Sequence, residues 1–183
     1  MLAEEISEQI MIPEDVTVTV DNRYFKAEGP KGTLERNFKY PSIRMSSDDS
    51  HITLFVDFPK KVDKAALFTV KSHINNMIYG VVEGYCYKLK AVYAHFPLNI
   101  KVQKDEVIID NYLGEKYPRT AKIFGDVKVT LSGDTLTVEG INKEHVGQTA
   151  GNLEKATRVT KRDPRVFQDG IYLVERNGVA LRW

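Results

Sequence analysis

A chain of 183 residues that is 42% hydrophobic and 28% charged has material for one large domain or two of about 90 residues, and it excludes wholesale disorder. No stretch approaches the roughly 18–20 consecutive apolar residues of a membrane span, and the acidic start lacks the basic-then-apolar plan of a secretory signal, so the expectation is a soluble, intracellular protein. A net charge of +1 identifies no partner, and a single cysteine, Cys86, excludes an internal disulfide and any multi-cysteine zinc site.

The first 15 residues hold Glu4, Glu5, Glu8, Glu14 and Asp15 and no lysine or arginine, and nothing in their pattern decides whether they pack. Val16–Val20 alternates valine and threonine, which predicts a half-buried strand. A glycine-bearing turn, Gly29–Gly32, follows; then Ile43/Met45 and Ile52/Leu54/Val56 read as two strands around the polar loop Ser46–Ser50, which includes the acidic pair Asp48/Asp49. Leu67, Val70, Ile74, Met77 and Ile78 form one apolar helical stripe ending at Gly80, and Tyr85–Tyr93 reads as a closing strand.

The same grammar then runs again. Asn99–Val102 opens it, Leu113–Lys116 supplies the turn, and Val127/Val129/Leu131 and Leu136/Val138 flank the hairpin signal Ser132-Gly-Asp134. Val146, Ala150, Leu153, Thr157 and Thr160 give a weaker helical stripe stopped by Asp163-Pro164, and Gly170–Glu175 closes the copy. An offset of 84 residues superposes Pro13 on Pro97, Val16 on Ile100, Ile52 on Leu136, Leu54 on Val138, Val62 on Val146 and Ala66 on Ala150. The fold class expected is α+β: two tandem duplicated domains, 1–93 and 94–183, each an antiparallel β-sheet covered by one α-helix.

Enzyme chemistry finds little footing. His51, His73, His95 and His145 have no partner at metal-ligand spacing, and neither a nucleophile elbow nor a phosphate loop occurs. No cofactor and no metal are expected. Charge is more informative locally: Lys155, Arg158, Lys161, Arg162 and Arg165 face one acid, Asp163, within 13 residues. With Val146 at the core direction, Gly147, Gly151, Lys155, Arg158 and Arg162 fall about 100–180° away, on the outward side of the second helix. Glycine costs about 1 kcal/mol against alanine in a helix. Two of them beside cations fit close approach of a phosphate backbone, or else a weak helix start beside a solvated basic face. The loops Asn111–Arg119 and Asp163–Tyr172 add Lys116, Arg119 and Arg165 among tyrosines and a phenylalanine, a mixture suited to structured RNA, although taken alone they read rather as two surface loops with buried tyrosine stems. A protein-interaction adaptor with an acidic partner, and an enzyme using a cleft between the copies, are the competing classes.

Three long motifs resemble one family. Thr157–Arg176, Asn111–Arg119, and Ser72–Gly80 running into Tyr87–Pro97 are similar to the universal large-subunit ribosomal protein six family, called nine in eukaryotes, in its archaeal-type branch. The resemblance extends from Ile12 to about Gly178. It implies a non-enzymatic constituent of the large ribosomal subunit, cytoplasmic, that binds large-subunit rRNA near the sarcin–ricin region and the stalk base. The C-terminal copy would do most of the anchoring and the N-terminal copy would act as a spacer. It further implies neighbouring ribosomal proteins as partners, translation factors nearby, and no homo-oligomer. Carried over by position, the rRNA-contact residues are Lys116, Tyr117, Arg119, Gly147, Gly151, Lys155, Arg158, Lys161, Arg162, Arg165 and Arg176. Lys155 stands where related sequences often carry glutamine.

Overall fold

The computed structural model describes residues 5–48, 50–94, 96–160, 162–163 and 165–181. The chain divides into two units, Met1–Gly84 and Tyr85–Trp183, each with its own apolar core. The duplicated α+β class expected from the sequence is the one observed, with a larger strand inventory: each unit builds two antiparallel sheets around its single helix.

The first unit contains β1 (Glu5–Met11), β2 (Thr17–Asp21), β3 (Tyr24–Gly29), β4 (Gly32–Asn37), β5 (Arg44–Ser47), β6 (His51–Asp57) and α1 (Lys61–Val82). Strands β2, β3 and β4 form a meander, and the second sheet runs β1-β6-β5. The acidic N-terminal segment is therefore a paired strand from Glu5 onward. Ile10 lies opposite Ile52 in the register, and both are buried. Glu8 on β1 is tied to Lys71 of α1 at 2.5 Å. Alternation along β6 sends Ile52, Leu54 and Val56 into the core, where the α1 stripe Leu67, Val70, Ile74 and Ile78 meets them.

Helix α1 does not stop at Gly80. That residue is buried inside the helix, which continues to Val82. Its end is set by the β3–β4 turn: Lys31 N–H donates to the Val81 carbonyl at 2.9 Å, and the Lys31 ammonium donates to the Glu83 carbonyl. Gly29 permits this approach, because a Cβ there would sit 2.8 Å from the Val81 carbonyl oxygen. Within the helices the 84-residue offset pairs two buried residues at Ala66 and Ala150 but not at Val62 and Val146: Val146 is fully buried, whereas Val62 is 77% exposed near the start of α1.

The second unit contains β7 (Tyr85–Val92), β8 (Asn99–Val102), β9 (Glu106–Asp110), β10 (Arg119–Lys122), β11 (Lys128–Ser132), β12 (Thr135–Gly140), α2 (Lys143–Ala156), β13 (Gly170–Arg176) and β14 (Val179–Ala180). Strands β8, β9 and β10 repeat the meander, and the larger sheet runs β11-β12-β7-β13-β14. The structural division thus falls nine residues before the sequence boundary of 93/94. Strand β7, expected to close the first copy, is the middle strand of the second unit's sheet, with Leu89 paired to Leu136 on one side and to Leu173 on the other. Its alternating Tyr85, Tyr87, Leu89 and Ala91 line the second core. The element-level repeat is accordingly β1 with β7, β5 with β11 and β6 with β12. Among the described residues, β13 and β14 have no counterpart in the first unit's sheet.

Helix α2 starts at a side-chain cap, Asn142 Oδ1 accepting from Glu144 N–H at 2.9 Å. It ends at Ala156, ahead of Asp163; Pro164 lies outside the described residues. Thr157 is buried just past the end, and Thr160, expected on the core stripe, is exposed and off the helix. Arg158 and Arg162 are therefore not helical. The reason is tertiary: Arg119 and Tyr112 take the Ala156, Thr157 and Arg158 carbonyls at and just past the helix end.

Candidate nucleic-acid interface

Most of the expected cations lie on elements that meet at the C-terminal end of α2: the loop between β9 and β10 and the segment leading to β13. Tyr112 in a single 3-10 turn, Tyr112–Gly114, is the pin. Its ring is buried, and its hydroxyl lies 2.5 Å from the Thr157 carbonyl oxygen and 3.0 Å from that of Asp169. Burial pushes its pKa up to about 12, partly opposed by the Arg119 guanidinium, so the phenol stays a donor at any ordinary pH. Arg119 stacks on the same ring at 4.1 Å and donates to the carbonyls of Ala156 (2.9 Å) and Arg158 (3.0 Å). It also forms a two-pronged pair with Glu115, at 2.8 and 2.6 Å, which holds that carboxyl below its usual range. Arg119 is thus a helix cap and loop clasp, with its side chain only 21% exposed.

The other expected residues fall into three groups. Gly147, Gly151 and Lys155 are spaced i, i+4, i+8 along one line of α2, and Arg158 extends the patch just beyond the helix. Lys155, Arg158 and Gly151 are exposed. A Cβ built on Gly147 or Gly151 would meet nothing within 4 Å, so no packing within the protein accounts for either glycine. Lys116 and Tyr117 are exposed on the clasped loop, Tyr117 at 85%. Arg165 is almost fully exposed and is chelated by Asp163 at 3.0 and 3.1 Å, which keeps that carboxyl below its usual range.

Two residues stand apart from the reading of a free basic face. Arg162 lies 4.8 Å over the Phe167 ring and reaches the Leu113 carbonyl at 3.5 Å, binding the two loops together. Arg176 sits at the opposite end of β13, about 20 Å along the strand from Gly170, over Tyr87 at 5.7 Å. Lys161 lies outside the described residues.

Sequence reasoning missed the braces. Thr157 Oγ1 accepts from Ile171 N–H at 2.9 Å, and Glu154 Oε1 accepts from Leu173 N–H at 2.9 Å, so the helix end and β13 are cross-linked twice. Between them lies a groove of about 530 Å³, lined from the helix by Gly151, Glu154 and Lys155 and from beyond it by Arg158, Phe167 and Tyr172. Thr157 and Glu154 carried no signal beyond helical position, since their partners are 14 and 19 residues away. The histidines pack separately: His73 by Phe38 and Arg36, His51 by Ser50, His145 edge-on to Phe124, with His95 outside the described residues. No helix among the described residues is long and apolar enough to cross a membrane.

A family model described as Ribosomal protein L6 matches residues 12–84 and, again, residues 96–170. The chain belongs to the ribosomal protein L6 family. The double match is the duplication itself, each copy taking one of the two α+β units. Archaeal members are similar over nearly their whole length. The large ribosomal subunit protein uL6 of Methanosphaera stadtmanae is 55% identical over 94% of both chains. That of Methanobrevibacter smithii is 51% identical over 96% of this chain and 99% of its own, and that of Methanosarcina mazei 47% over the same shares. Membership of this ribosomal protein L6 family makes the chain a structural protein rather than an enzyme.

Proposed function

We propose that this protein is a structural constituent of the large ribosomal subunit, cytoplasmic on the ribosome, and that its second unit anchors it to large-subunit rRNA near the sarcin–ricin region and the stalk base. Neighbouring ribosomal proteins are its other partners, and the first unit spaces and presents the second near the translation-factor docking site. The observation that carries the rRNA interface is the line Gly147, Gly151, Lys155 leading to Arg158. Two glycines that the fold does not need stand beside exposed cations. A phosphate backbone can lie against bare helix there while the lysine and arginine neutralise it and release counterions. Arg119 and Arg162 act differently in this reading: they hold the loops that present Lys116, Tyr117 and Arg165.

The test is binding of the full chain to the sarcin–ricin portion of large-subunit rRNA across a salt series, comparing wild type with Lys116→Ala/Lys155→Ala/Arg158→Ala. Each phosphate contact removed makes the slope of log K against log salt shallower by about 0.7–0.9. A triple variant that folds normally, binds more weakly and has a slope shallower by about 2 supports the interface. Unchanged affinity and slope would sink it, and preference for an acidic peptide over RNA would return the adaptor class.

A further inference from the structure

Resting on that reading, we propose that the groove at the end of α2 receives one unstacked nucleobase of the RNA, so that the interface reads a nucleotide as well as gripping phosphates. Phosphate neutralisation needs only a convex basic surface, yet the structure supplies a concavity of about 530 Å³, within the range of roughly 300–1,000 Å³ that houses small ligands. Its lining is divided as a nucleotide is divided. Phe167 and Tyr172 give it aromatic lining and Lys155 and Arg158 exposed cations, while Glu154, which also lines it, accepts from Leu173 N–H. Aromatic rings beside exposed cations are how proteins hold bases splayed from RNA loops, the base stacked and its phosphate kept by the cations.

The groove is also built before any RNA arrives. Its two walls are joined by the Thr157–Ile171 and Glu154–Leu173 hydrogen bonds and backed by the Tyr112 hydroxyl between the Thr157 and Asp169 carbonyls. Arg162 lies 4.8 Å over the Phe167 ring and steadies it as part of the lining. Ordering cost on binding is correspondingly small. Gly151 has a second consequence here: it lines the groove, and any side chain at that position would extend into open space at its wall. Gly147 shares the helix line but not the groove, so Gly147 reports on phosphate approach alone, whereas Gly151 serves both roles.

The experiment uses the full chain and the sarcin–ricin portion of large-subunit rRNA, with affinity, salt slope and nucleotide-by-nucleotide chemical probing as readouts. Gly151→Leu adds bulk to the groove's lining at an exposed helix position where a Cβ meets nothing within 4 Å, and Phe167→Ala removes an aromatic ring from that lining. Unfolding curves verify both folds, and Gly151→Leu keeps the test open if Phe167→Ala unfolds. The expected result is a loss of affinity of about tenfold in each, an unchanged salt slope in Phe167→Ala, and loss of protection at one and the same nucleotide in both. Phe167→Tyr keeps that protection, and Gly147→Leu weakens affinity through the phosphate approach but leaves the protection of that nucleotide in place. A wild-type footprint in both Gly151→Leu and Phe167→Ala would overturn the base-binding groove, while weaker binding in Gly147→Leu would leave phosphate anchoring standing. Failure of the wild-type chain to bind this RNA would overturn the anchoring itself, and the groove with it.

Discussion

Residues of the proposed interface separate into those that hold the protein and those that no contact within the fold accounts for. Gly147 and Gly151 belong to the second kind, since nothing inside the fold approaches them. Gly147→Ala and Gly151→Ala should each raise the stability of the isolated protein by up to about 1 kcal/mol through helix propensity, measured by urea unfolding. The same changes should weaken rRNA binding. Stabilisation without any loss of binding would show the glycines to be incidental. Arg119 belongs to the first kind, although its type and loop position suggested RNA. Arg119→Ala removes two carbonyl caps, a paired carboxylate and a ring contact from a largely covered side chain. It should destabilise the protein by about 2 kcal/mol with no RNA present. A residue kept only for rRNA would leave the unfolding curve unmoved.

At the level of elements, both helices are closed by a cation reaching from the preceding meander: Lys31 onto the end of α1, Arg119 onto the end of α2. In the second unit the closure is doubled by Tyr112. Its raised pKa means that the folded chain keeps the phenol proton where the unfolded chain gives it up. Between the ordinary tyrosine value near pH 10 and about 12 the unfolded state binds fewer protons, so stability falls as pH rises through that window. Tyr112→Phe should therefore start about 1 kcal/mol less stable at pH 8 and then lose less than wild type towards pH 11, read from urea unfolding at each pH. Parallel decline in the two proteins would remove Tyr112 from the alkaline transition.

For the whole molecule, the position of β7 decides what counts as a unit. A fragment of residues 85–183 retains the middle strand of the five-stranded sheet and should fold cooperatively. A fragment of residues 94–183, cut where the sequence pattern suggested, loses Leu89 from between Leu136 and Leu173 and should lack a cooperative thermal transition. Equal folding of both would mean that β12 and β13 close on each other without it.

What the sequence determined by itself is what depends on local period and repetition. The α+β class, the duplication, the buried alternation of β6 and β12 and the α1 stripe are all carried by residues two to four apart, the spacing at which side chains share a face. The basic run and its aromatics were legible for the same reason. Tertiary structure alone decided where α2 ends, because Arg119, Tyr112 and Ile171 reach its last turn from 14 to 45 residues away in sequence. It decided that β7 serves the second sheet, because an alternating strand carries no mark of which neighbours will pair with it. And it made a groove between the α2 end and β13, because the hydrogen bonds that brace its walls exist only once both are in place.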